Sequence, residues 1–170
     1  MALTLVDQLT LPLSHGNTSA CGVACVLSVL RSLGANEESP NKIFRAICAV
    51  PRLRILGGSP GNIADYLLSQ GRTVSCLNPN DNGSPIAALL AQGLGMSNAT
   101  KLPSLPIMTA GGPPYLIHFL KIAGINPCGH FVVSDGHDRF MDPGANPARL
   151  RNGLPTWAAF YDTGLTVIVS

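Results

Sequence analysis

The sequence predicts one α+β domain over residues 1–170. Its length is that of a single domain, and 46% of its residues are hydrophobic, enough to fill a core. Helical apolar spacing dominates the first half of the chain. Apolar runs bounded by Gly and Pro dominate the last third, so helices come first and a sheet follows. No internal repeat divides the chain.

CGVACVLSVLRSLG predicts a helix that starts at Cys21, is capped by Ser19 and stops at Gly34. A second helix is expected over 41–50, after Ser39-Pro40. In the third, Ser59 caps, Pro60 takes the first turn, Ile63, Tyr66, Leu67 and Leu68 recur at helical spacing, and Gly71 ends it. RTVSCL reads as a strand, and Ser84-Pro85 opens a fourth helix that stops at Gly93. Residues 93–114, rich in Gly, Pro, Ser and Asn, form a long connection expected to border a cleft and act as a lid. PYLIHFLKIAG, HFVVSDG, RFMDP and LTVIVS are expected strands of an antiparallel sheet, with a short helix over 157–161. The seam between the helical half and the sheet half is the expected place for a cleft.

Only 12% of residues are charged and the net charge is +2. The basic residues Lys42, Arg45, Arg52 and Arg54 form a loose set, without the dense basic face of a nucleic-acid binder. No stretch approaches the roughly 18–20 apolar residues of a membrane span. MALTLVDQLTLPLSHG lacks a charged start and holds Asp7 inside its apolar part, so no secretory signal is predicted. The chain is expected to be cytoplasmic as synthesised, with a signal-peptide-independent export route left open. Five cysteines, an odd number, point to reduced thiols.

One thiol has a setting that packing alone does not explain. Cys21 falls on the first turn of its helix, where unpaired backbone N–H groups and the helix dipole favour a thiolate. Cys25, one turn on, belongs to the buried stripe. His130 opens the strand HFVVSD, and a hairpin after Gly136-His137-Asp138 returns RFMDPG alongside it. That return brings Asp142 beside His130, the geometry in which a carboxylate orients an imidazole. Asp135 alternates to the other face of the strand and Asp138 sits at the turn, so they are weaker candidates. His118 reads as a satisfied sheet histidine, His137 as a solvated turn residue, and Trp157, Phe160 and Tyr161 as core or cleft wall. Cys21, Cys25, Cys128 and His130 could supply zinc ligands, but their spacing matches the usual knuckles poorly. No metal and no cofactor is expected.

These residues resemble known enzymes. SACGVACVLSVL resembles the nucleophile helix of papain-like cysteine peptidases, nearest to the bacteriocin-processing (double-glycine leader) peptidases. GHFVVSDGHDRFMDPG resembles their His–Asp motif, and GGSPGNIADYLLSQGRTV is similar to the helix and strand between the two. The likeness covers about residues 10–145. It implies a papain-like fold, the Cys helix of a helical half packed on a C-terminal antiparallel sheet. It also implies Cys21 as nucleophile, His130 as general base and later acid, and Asp142 as orienter. The family's oxyanion Gln lies about six residues before its Cys; here that position is His15. Asn17 and His15 are therefore preferred over Gln8 as oxyanion donors.

The implied activity is hydrolysis of a peptide or protein amide through an acyl-enzyme, by a stand-alone protease of the kind delivered as a bacterial effector or toxin. A peptidoglycan amidase would use the same chemistry, but its usual D-C-S-G context and shorter Cys-to-His span differ from CGVA and the 109 residues here. A transglutaminase or deamidase would use the same triad. A catalytically inactive papain-like module that binds peptides is the alternative from another class.

Overall fold

Helix α1 (Cys21–Ser32) is apolar on every side and buries all its residues except Arg31, as a helix enclosed by other elements must. The structure, a computed structural model, describes the chain apart from residues 1, 15, 17, 18, 36, 37, 49–57, 78–84, 109–111, 124–128, 138 and 146 and the side chains of 85–89. Among the described residues α1 is one of four helices beside a seven-stranded sheet, an α+β architecture. None of these helices is long and apolar enough to cross a membrane.

The helix ends follow from their glycines. After α1, Gly34 takes φ +68°, and its N–H and that of Ala35 return to the carbonyls of Arg31 and Leu30. After α3 (Pro60–Ser69), Gly71 takes φ +73°, and the N–H groups of Gly71 and Arg72 return to Leu68 and Leu67. This paired closure satisfies the last carbonyls and needs a left-handed residue, which glycine supplies cheaply.

Several boundaries differ from expectation. The residue capping α1 is Ala20, not Ser19, and no side chain caps the first turn. Helix α2 (Pro40–Ile47) ends before residue 50, because Cys48 turns extended and bridges Gly58. Helix α4 (Pro85–Met96) runs through Gly93 rather than stopping there. Gly61 is needed where α3 and α4 nearly touch: a Cβ there would lie 2.7 Å from the Gly93 carbonyl carbon and overlap its oxygen. Residues 157–159 form a turn, and Phe160 and Tyr161 already belong to a strand.

The sheet runs β2 (Thr100–Lys101), β1 (Val74–Leu77), β7 (Phe160–Val169), β3 (Tyr115–Ile122), β4 (Gly129–Ser134), β5 (Arg139–Asp142), β6 (Arg149–Asn152). All neighbours are antiparallel except β1 and β2, which are parallel. Across β3 and β4, Ile117 faces Val133 and Phe119 faces Phe131, and these join α1 in one core. The opposite face pairs Leu116 with Ser134, His118 with Val132 and Leu120 with His130. The N-terminal segment straps the two halves together. Thr4 accepts from Ser28 Oγ and donates to Ser32 Oγ at 2.7 Å, both on α1. A 3₁₀ turn (Gln8–Thr10) follows, and the Gln8 N–H donates to the Pro143 carbonyl at 3.0 Å, just past β5.

Gly61→Ala is expected to force α3 and α4 apart. Overpacking of this kind costs about 1–3 kcal/mol, so a thermal melt should show Tm lowered by about 2–10 °C. An unchanged Tm would mean that the contact yields freely.

Candidate active site

The site forms where the start of α1 meets the start of β4. Cys21 is the first residue of α1, and Gly22 lets that turn settle onto its neighbours. A Cβ on Gly22 would lie 3.3 Å from Ile47 Cδ1 and 3.5 Å from both Ile63 Cδ1 and Phe131 Cδ2. Gly129 does the same on the sheet side, since a Cβ there would run into the Phe119 ring. The thiol thereby comes within interaction range of His130.

His130 Nε2 lies 2.7 Å from Asp142 Oδ1. With Nε2 donating to the carboxylate, Nδ1 is the nitrogen left for Cys21. Cys21, His130 and Asp142 are 9%, 5% and 0% exposed, so the chain of contacts lies almost wholly out of water. Asp142 ends β5, and Pro143-Gly144 turns the backbone so that Gly144 N–H donates to Oδ1 at 2.9 Å. A Cβ on Gly144 would lie 3.2 Å from His130 Cε1 and 3.3 Å from Asp142 Oδ1, so a larger residue would crowd both. The other carboxylate oxygen, Oδ2, accepts from Trp157 Nε1 at 2.9 Å. The Trp157 ring stands edge-on to His130 at 5.4 Å, and Phe160 lies 5.5 Å from His130 and 4.6 Å from Trp157.

Burial opposes every charge here, and the neighbours overturn it. Burial works to raise the Cys21 thiol, but the hydrogen bond and charge of His130 and the backbone bonds of Phe131 and Gly22 bring it below its ordinary value. Burial works to lower His130, yet its bonds to Asp142 and Cys21 and their charges lift it to about 9. Asp142, resisted by burial, is held below the usual carboxylate range by His130, Trp157 and the Gly144 N–H. The arrangement favours a thiolate facing an imidazolium, held in turn by a carboxylate. Cys25 has no such support. It is fully buried, and its burial, with the charges of Cys21 and Asp142, keeps it a neutral thiol.

Other sequence candidates fall elsewhere. Asn17 and His15 lie outside the described residues, as do Asp138 and the possible zinc ligand Cys128. Gln8 is buried, and its Oε1 has no hydrogen-bond partner among the described residues. Its backbone ties it to Pro143, beside Asp142. Asp135 pairs with Arg139, away from His130. His118 is buried on the sheet, with Nε2 2.8 Å from Ser134 Oγ; Nδ1 lies 3.1 Å from Asp162 Oδ2 but makes no hydrogen bond among the described residues. His137 is exposed. No group of three or more metal-ligating side chains forms among the described residues.

Where it is described, the segment 93–114 continues α4 to Met96 and pairs Thr100–Lys101 with β1. Met108 packs against Gly136, which follows the far end of β4 from His130. The six-residue strand between them is about 20 Å long. The part of Trp157 was not read from the sequence beyond core or cleft wall. Fifteen residues separate it from Asp142, and the available signal is general: a Trp beside a buried acceptor turns its N–H to it.

No protein-family model matches the chain, and no curated protein matches it.

His130→Ala leaves Cys21 buried without its counter-charge, and burial alone raises a thiol. In the native protein, iodoacetamide should alkylate Cys21 well below pH 9, the ordinary thiol value. In the variant the reactivity midpoint should move up, and alkylation at pH 7 should fall by about tenfold or more. Peptide mapping across pH 5–9 reads this directly; an unmoved midpoint would separate His130 from the thiol.

Proposed function

We propose that the protein is a papain-like cysteine peptidase, nearest in kind to the bacteriocin-processing peptidases, that hydrolyses a peptide or protein amide bond. The observation that carries this reading is the juxtaposition of Cys21, on the first turn of a buried helix, with the hydrogen-bonded pair His130–Asp142. Each member has the polarity the chemistry requires. The Cys21 thiolate attacks the amide carbonyl carbon, and negative charge moves to the carbonyl oxygen. The backbone N–H groups at the start of α1, which carries Cys21, are the donors assigned to that oxyanion.

His130, protonated, gives its Nδ1 proton to the leaving amine as the C–N bond breaks, leaving a thioester on Cys21. It then takes a proton from water, whose oxygen attacks the thioester carbon; thiolate leaves and imidazolium is restored. Asp142 keeps the imidazole in the tautomer and rotation this cycle needs. For the side-chain oxyanion donor, burial beside the Asp142–Pro143 turn supports Gln8 alongside Asn17 and His15. A peptide-binding module without catalysis would have no need of a thiol whose charge is stabilised against burial.

The test is hydrolysis of a mixed peptide library followed by mass spectrometry. New termini are expected with the native protein, and a Cys21 adduct with a peptide vinyl sulfone. Cys21→Ala should remove activity by at least about 10³-fold, and Asp142→Asn should lower kcat/KM by about 10²–10⁴-fold. Cleavage that survives Cys21→Ala would end this reading. Amine incorporation or deamidation without new termini would redirect it to acyl transfer.

A further inference from the structure

We infer that Trp157 is a positioning residue of the triad: its indole N–H fixes the Asp142 carboxylate so that Oδ1 faces His130. This rests on the triad reading above. The carboxylate is wholly buried, so its two oxygens depend on protein donors. Oδ1 has two, from His130 and Gly144. For Oδ2 the hydrogen bond among the described residues is that from Trp157, at 2.9 Å. Without it, a buried anionic oxygen loses its donor. The carboxylate can then turn Oδ2 toward another donor, taking Oδ1 off the line to His130, or take up a proton. Either change weakens the hold on the imidazolium and, through it, on the Cys21 thiolate.

The indole is well built for this. It is 55% exposed, so its burial alone does not explain its placement. Its ring nonetheless meets both His130 and Phe160 edge to face, and its N–H points inward. The connection that carries it is itself pinned, since Arg151 on β6 donates to Thr156 at 3.0 Å. A ring that only covered the site would do so with or without its N–H.

Trp157→Phe keeps an aromatic ring and removes the donor. The readout is the pH profile of Cys21 alkylation by iodoacetamide, which needs no substrate. Loss of one charge-assisted hydrogen bond should move the midpoint up by about 0.5–1 pH unit and slow labelling at pH 6 by about three- to tenfold. In an Asp142→Asn background the same change should alter labelling less than about twofold, because positioning through Asp142 is already lost. Should the Phe variant fold poorly, β-(3-benzothienyl)alanine at 157, which puts sulfur in place of the indole N–H, should give the same shift. An unmoved profile overturns the inference, and so does an equal shift in the Asp142→Asn background, which would assign the effect to packing. If native Cys21 labels no faster than Cys48 or Cys76, the triad reading itself fails and this inference falls with it.

Discussion

A carboxylate cut off from water is the constraint around which this site is built. An ionised group in that position costs several kcal/mol unless its oxygens are paired, and Asp142 is paired on both. Its donors come from three parts of the chain: the first turn of β4, the bend after β5, and the connection into β7. Each local feature serves one of them. Pro143 stops the strand, Gly144 leaves room for the imidazole and brings its own N–H inward, and Trp157 closes the remaining oxygen.

The charges are interdependent in a way their individual burial conceals. Burial works against the ionised form of Cys21, His130 and Asp142 alike, and the neighbouring groups shift each back toward its ionised form. Low surrounding polarity strengthens these attractions as much as it penalises a lone charge. Cys25 is the internal control. It sits one turn along the same helix in the same core, lacks a cationic neighbour, and stays neutral. Position on the first turn of α1, opposite His130, separates a thiol whose pKa is lowered from one whose pKa is raised.

Much of this was legible in the sequence because it is local. The α+β order follows from apolar periodicity, and the closure of α1 and α3 from Gly34 and Gly71. The meeting of His130 and Asp142 follows from a twelve-residue hairpin whose alternation can be counted. What escaped depends on contacts across the fold. Gly93 looks like a helix stop until the approach of Gly61 is known. RLRN carries no apolar alternation, so β6 left no mark in the pattern, and the two-residue β2 is too short to leave one. Ser19 looks like a cap, yet Ala20 takes that position and offers no side-chain cap bond. Gln8, thirteen residues before Cys21, is tied by its backbone to Pro143 beside Asp142, a placement that its distance in sequence does not indicate.

The sheet order has a consequence for the newborn chain. Strand β7 follows all the others in sequence but lies between β1 and β3. Until it arrives, the sheet exists as two fragments, β1 with β2 and β3 through β6, each with an open edge of unpaired N–H and C=O groups. The ring of Phe160 comes with that same strand, and Trp157 just ahead of it. The surroundings that hold Asp142, and through it the thiolate, are therefore completed by the last part of this sequence to be synthesised.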